Sequence, residues 1–152
     1  MGESVFPPVE QMLPHRDPFL FLQSVRGLFG DRIVCRGMIE EGHYLAHDKE
    51  APPILGIEMG AQAAGIHAAL QHHDHDPEPT DLTPRAGYLV AIRQARFHVK
   101  ALAVGRALSV EAIARGAAGR LATCEILVTE EGEEAALVEA RISTWAAAEP
   151  GP

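Results

Sequence analysis

The sequence predicts an α+β fold, with one long buried helix set against an antiparallel sheet. Two observations lead there. Residues 54–71 form an apolar run of alanine, leucine, isoleucine and methionine with no proline, which suits a helix buried on most sides. Residues 87–145 hold several apolar, β-branched segments separated by the turn signals Val104-Gly105, Arg115-Gly116 and Glu131-Gly132, the pattern of consecutive antiparallel strands with short connections.

Taken in order, residues 19–22 follow Pro14 and Pro18 and read as extended chain or a short helical turn. Residues 32–39 (RIVCRGMI) read as a strand. Residues 40–53 are a loop rich in titratable groups, closed by Pro52-Pro53, which suit a helix start because the missing N–H costs least there. The helix then contains Gly60, Ala61, Ala63, Ala64, Gly65, Ala68 and Ala69, and side chains this small let a sheet pack very close. Its expected length of about 27 Å, at about 1.5 Å per residue, could cross several strands. Residues 72–83 are a polar breaker with two prolines. The strands expected after it are 87–92 joined to 94–99, 107–114, 121–129 and 135–145, with 146–152 a frayed tail.

At 152 residues the chain is most simply one domain, 1–152, with enough length for a substantial core. It is 47% apolar and 22% charged, an ordinary globular balance. A net charge of −8 argues against nonspecific nucleic-acid or anionic-membrane binding. Cys35 and Cys124 lack zinc-ligand spacing and sit in apolar stretches, so they are expected as small core residues. Neither a targeting segment nor a membrane span is legible, and the expectation is a soluble, cytoplasmic protein with no membrane partner.

Glu58 is the most informative residue, because it is the only charged side chain in a helix otherwise almost wholly apolar. Gln62 lies about 40° round the helix from it, and Gly65 and Ala69 lie within about 20°. A carboxyl and an amide therefore share one small-residue stripe. Glu58 is either a structural carboxyl or a general acid or base with a raised pKa facing a closed pocket. His43 and His47 lie in the preceding loop, where imidazoles are either solvated or acid–base partners of a buried carboxyl. His15 stands alone and reads as a surface or packing residue. The run His72-His73-Asp74-His75-Asp76 is dense in metal-ligand types, but adjacent residues of one polar loop rarely close a coordination shell, and no metal is expected. Arg85, Arg93, Arg96 and Lys100 form a late basic cluster, either a solvated face or a docking patch for an acidic carrier.

Together these segments resemble the hotdog-fold 3-hydroxyacyl-[acyl-carrier-protein] dehydratases. Leu13-Pro14-His15-Arg16-Asp17-Pro18-Phe19-Leu20 resembles that family's LPHRxPFL opening. Gly42-His43-Tyr44-Leu45-Ala46-His47 is similar to its GHFxxH loop. Ile57-Glu58-Met59-Gly60-Ala61-Gln62-Ala63-Ala64-Gly65 resembles its IEAMAQAAG helix, and Gln94-Ala95-Arg96-Phe97 with Gly105 a later KARF strand and turn. The likeness is closer still to a divergent branch recognised by sequence, some members of which are associated with aryl polyene or related polyketide-like pathways.

The resemblance implies a sheet wrapped round the central helix, a homodimer or a higher assembly of dimers, and an acyl tunnel at the subunit interface. It implies that His43 of one subunit is the base acting with Glu58 of the other as the acid, with no cofactor. Gln62 would orient the carboxylate and Tyr88 would line the tunnel. Arg93, Arg96 and Lys100 would dock the carrier, and the substrate would be a thioester of acyl carrier protein or coenzyme A. Two departures stand out. His43 precedes Glu58 by 15 residues, so one extra residue falls around 48–51, and the loop lacks the family's prolines. Pro52-Pro53 also replaces the family's Pro-Gly, which removes one N–H donor to the thioester oxygen and leaves Ile54 N–H to supply it. A thioesterase, or a non-catalytic subunit that pairs with an active homologue, are the alternative readings.

Overall fold

The computed structural model describes residues 5–75 and 87–147. After a short 3₁₀ turn at Val9–Gln11 come β1 (Leu22–Phe29), β2 (Arg32–Gly37), β3 (Glu50–Ala51), α1 (Leu55–His75), β4 (Gly87–Phe97), β5 (Leu102–Ala103), β6 (Leu108–Ala118), β7 (Leu121–Glu130) and β8 (Ala136–Ala146). Six strands form one antiparallel sheet in the order β1-β2-β6-β7-β8-β4, and β3 pairs with β5 in a separate ribbon.

The helix lies across the middle of the sheet, against β2, β6, β7 and β8. Ile57, Met59 and Ile66 on α1 are fully buried, as are Val110, Val128 and Ile142 on three of these strands. The close approach depends on glycine. A Cβ on Gly56 would stand 2.9 Å from Val138 Cγ2, and one on Gly60 2.7 Å from Ile126 Cγ1. Two-residue connections join β1 to β2 and β6 to β7, and each carries a glycine with positive φ, 61° at Gly30 and 60° at Gly119. Tight hairpin turns of this kind need that conformation.

Three sequence expectations are corrected. Residues 22–29 form a full strand, whereas the sequence suggested only a short extended piece ending at Leu22. Bulges between Leu22 and Ser24 and between Val25 and Gly27 break its alternation, so the period-2 signal is lost. The helix continues to His75, past the expected stop at 71. Arg115-Gly116 is not a turn but a bulge inside β6, which runs on to Ala118. The joined segments 87–92 and 94–99 form one strand as expected, with a bulge between Ile92 and Gln94, and it ends at Phe97.

Cys35 and Cys124 are buried free thiols, and burial pushes the Cys35 thiol up to about 12. No helix among the described residues is long and apolar enough to cross a membrane. Among those residues no group of three or more His, Cys, Asp or Glu could hold a metal ion. The side chains of the HHDHD run, residues 72–76, lie outside the described residues, as does Arg85 of the basic cluster. The expected tail is described only as far as residue 147.

Candidate active site

A cavity of about 310 Å³ opens along one side of α1, between it, the segment before β1 and residues of β4, β7 and β8. Its floor is small-residue helix, including Ala61, Gly65 and Ala68, and its walls include Leu13, Tyr88, Leu89 and Trp145. Glu58 and Gln62 stand on that floor and His15 faces them. Arg120, presented by the β6–β7 turn, lies over the Trp145 ring, 5.1 Å from its centroid.

The segment before β1 brings His15 in. Val9, Met12 and Leu13 are buried and anchor the chain to the core. Arg16 then ties the turn together, donating to the carbonyls of Leu13 (2.9 Å), His15 (2.7 Å) and Glu10 (3.1 Å). The result places His15 Nε2 3.4 Å from Glu58 Oε1, with side-chain exposures of 27% and 36%. Both groups are thus half-buried but open to the cavity. His15 Nδ1 is buried and has no hydrogen-bond partner among the described residues.

Gln62 is 1% exposed and fully occupied. Its Nε2 donates to Phe19 O at 2.6 Å and to Glu58 Oε1 at 3.2 Å, and its Oε1 accepts from Phe21 N at 3.2 Å. It therefore pins the helix to the chain entering β1 and orients the carboxylate. With both amide hydrogens spent, it has no donor left for a bound molecule.

One of the two readings of Glu58 gives its carboxyl a raised pKa. The structure reverses the direction. The hydrogen bond from His15 holds it below the ordinary carboxylate range, burial opposes this, and the Gln62 bond adds to the lowering. The charged form is favoured by what touches it.

His43 is not at this cavity within the chain. Its Nε2 lies 2.8 Å from Pro18 O, and its Nδ1 accepts from Leu45 N at 3.2 Å. Both ring nitrogens are therefore engaged within the chain. The ring also stacks on Tyr44, with centroids 5.1 Å apart. The extra residue expected near 48–51 coincides with a tight turn in which Asp48 and Lys49 have φ of 51° and 62°. His47 and Glu50 close that turn with hydrogen bonds of 2.7 and 3.0 Å.

Ile54 is 47% exposed and does not line the cavity either. The next two N–H groups are taken by Pro52 O (3.1 Å) and Pro53 O (3.0 Å). Tyr88 does line the cavity, 58% exposed at the start of the edge strand. Arg93 donates to Ser143 Oγ at 3.2 Å. Arg96 lies in an outer-face groove that also holds Glu125, Glu139 and Arg141, and Lys100 is exposed in the loop beyond β4. Sequence reading missed His15, because a histidine 43 residues from Glu58 gives no spacing signal. The available clue was its place in the LPHR segment.

Residues 7–151 match the model of a family described as ApeP-like, ApeP dehydratase. The chain is 32% identical over 95 residues to the 3-hydroxyacyl-[acyl-carrier-protein] dehydratase FabZ of Rhizobium johnstonii, covering 59% of this chain. The match spans 56% of that relative's length. Among solved structures, the dehydratase heterocomplex ApeI:P from Xenorhabdus doucetiae superposes with a TM-score of 0.79 at 24% identity, covering 95% of this chain and 93% of that one. An uncharacterized protein from Pyrococcus horikoshii gives 0.61 at 16% identity, covering 95% and 97%. A hypothetical thioesterase with coenzyme A from Streptococcus pneumoniae gives 0.57 at 10%, covering 84% and 88%. These structural likenesses establish the hotdog fold.

Proposed function

Because the chain belongs to the ApeP-like dehydratase family, we propose that it dehydrates a 3-hydroxyacyl thioester, carried on acyl carrier protein or coenzyme A, to the trans-2-enoyl thioester. The observation that carries this reading is Glu58, a carboxylate held by Gln62 and His15 at the floor of an otherwise largely apolar cavity. The thioester carbonyl acidifies the C2 proton, and a carboxylate ionised at rest is suited to take it. This reverses the acid role that the family resemblance implied for Glu58. Positioned proton transfer of this kind contributes about 10²–10⁴-fold.

The acyl chain would lie along Ala61, Gly65 and Ala68. The pantetheine arm and carrier would approach from the side of Arg93, Arg96 and Lys100, all exposed. Incubation with 3-hydroxybutyryl and 3-hydroxyoctanoyl carrier protein should yield the enoyl thioester by mass spectrometry, and Glu58→Gln should abolish it. Release of free acid instead would make the protein a thioesterase.

A subunit partnership is also proposed. β4 is an edge strand, and its Tyr88, Leu89, Val90 and Ile92 are exposed. An edge this apolar pairs readily with another strand. The ApeI:P structure is described as a heterocomplex, so the second subunit here is either another copy of this chain or an active homologue. The mass of the purified protein, alone and co-expressed with candidate homologues, separates the two. A protein inert alone and active only with a homologue would be a partner subunit.

A further inference from the structure

We propose that His15 is the general acid of the same site, donating the proton that lets the C3 oxygen leave as water. The inference rests on the dehydratase reading and puts His15 in the place the family resemblance gave to His43, with the acid and base roles of histidine and carboxyl exchanged.

Two observations carry it. His15 Nε2 and Glu58 Oε1 are 3.4 Å apart and both face the cavity. His43 has both nitrogens engaged by its own loop and by Pro18. His15 Nε2, its engaged nitrogen, faces the Glu58 carboxylate directly. Tyr88 and Arg120 are the other titratable groups on the cavity wall.

The proton count closes. Glu58 starts as carboxylate and His15 as imidazolium. Glu58 takes the C2 proton, and the C2–H electron pair becomes the C2–C3 π bond. The C3–O pair leaves on oxygen, which takes the Nε2 proton and departs as water. Glu58 then returns its proton to His15 across the short gap, and the pair is restored.

A substrate whose leaving group needs no proton separates an acid from a merely structural residue. His15→Gln should lose at least about 10²-fold on 3-hydroxybutyryl pantetheine, yet eliminate chloride from 3-chlorobutyryl pantetheine at close to the wild-type rate. Glu58→Gln should fail on both. Added imidazole should partly restore His15→Ala on the hydroxy substrate. Equal losses by His15→Gln on both substrates, or undiminished turnover of the hydroxy substrate, would overturn the assignment. A wild-type protein, tested alone and with its homologue, that turns over neither thioester would overturn the dehydratase reading itself and this assignment with it.

Discussion

Gly60 and Gly65 lie on the same helix and make room for different things. A Cβ at Gly60 would drive into Ile126, with Cγ1 at 2.7 Å and Cδ1 at 2.8 Å. Cγ1, like Cγ2, is bonded directly to the β-carbon of a core strand residue, so the branch cannot swing aside. A Cβ at Gly65 would meet only the tip of Leu13, Cδ2 at 3.2 Å, and otherwise faces the cavity. One side of α1 is small so that a sheet can close on it. The other is small so that a cavity remains. Similar composition therefore serves packing on one side and access on the other, and the two should respond oppositely to added bulk.

The largest effect should come from the cavity side. Glu58→Gln should cut turnover by about 10²–10⁴-fold while the thermal midpoint stays near wild type, since Gln62 and His15 can still hydrogen-bond an amide. A midpoint that collapses along with activity would place Glu58 among the structural residues instead. Next is Gly60→Ala on the sheet side, expected to destabilise by about 1–3 kcal/mol through overpacking, read from denaturant midpoints. The cost should shrink when Ile126 is first cut to Ala, because the two side chains compete for one volume.

Ala68→Leu on the cavity floor should change stability by no more than about 0.5 kcal/mol. It should instead raise KM for longer acyl chains more than for short ones. If it destabilised as much as Gly60→Ala, the two sides of the helix would not differ as described.

The smallest effect concerns pH. The folded pKa of Glu58 is depressed, so the unfolded state binds the proton more tightly. Its contribution is present above the unfolded value of about 4.3 and fades as pH falls through the lower folded value. The group is 36% exposed, so the contribution should be well under about 1 kcal/mol. Melting curves from pH 7 down to pH 3 should show any gap between wild type and Glu58→Gln closing only at the acid end.

The bonds of Gln62 show how far local pattern reached. A carboxyl and an amide on one helical stripe follow from a period of about 3.6 residues. That Gln62 spends its donors on Phe19 O and Glu58 does not follow, because Phe19 is 43 residues away. The pKa direction failed for the same reason. Burial alone raises a carboxyl, and the sequence makes burial legible, but the hydrogen bond that reverses the sign comes from a distant histidine.

The sequence by itself determined the single buried helix, four of the six strands of the main sheet and part of a fifth, the need for close packing, and Glu58 as the residue to question. These depend on composition and on short periods, which are properties of neighbours along the chain. The tertiary structure alone decided that β1 exists despite its bulges, that Arg115-Gly116 bends a strand without ending it, and that His15 rather than His43 stands against Glu58 within the chain. Such pairings are set by which surfaces meet after the helix packs on the sheet, and that contact map has no local signature in the residues that make it.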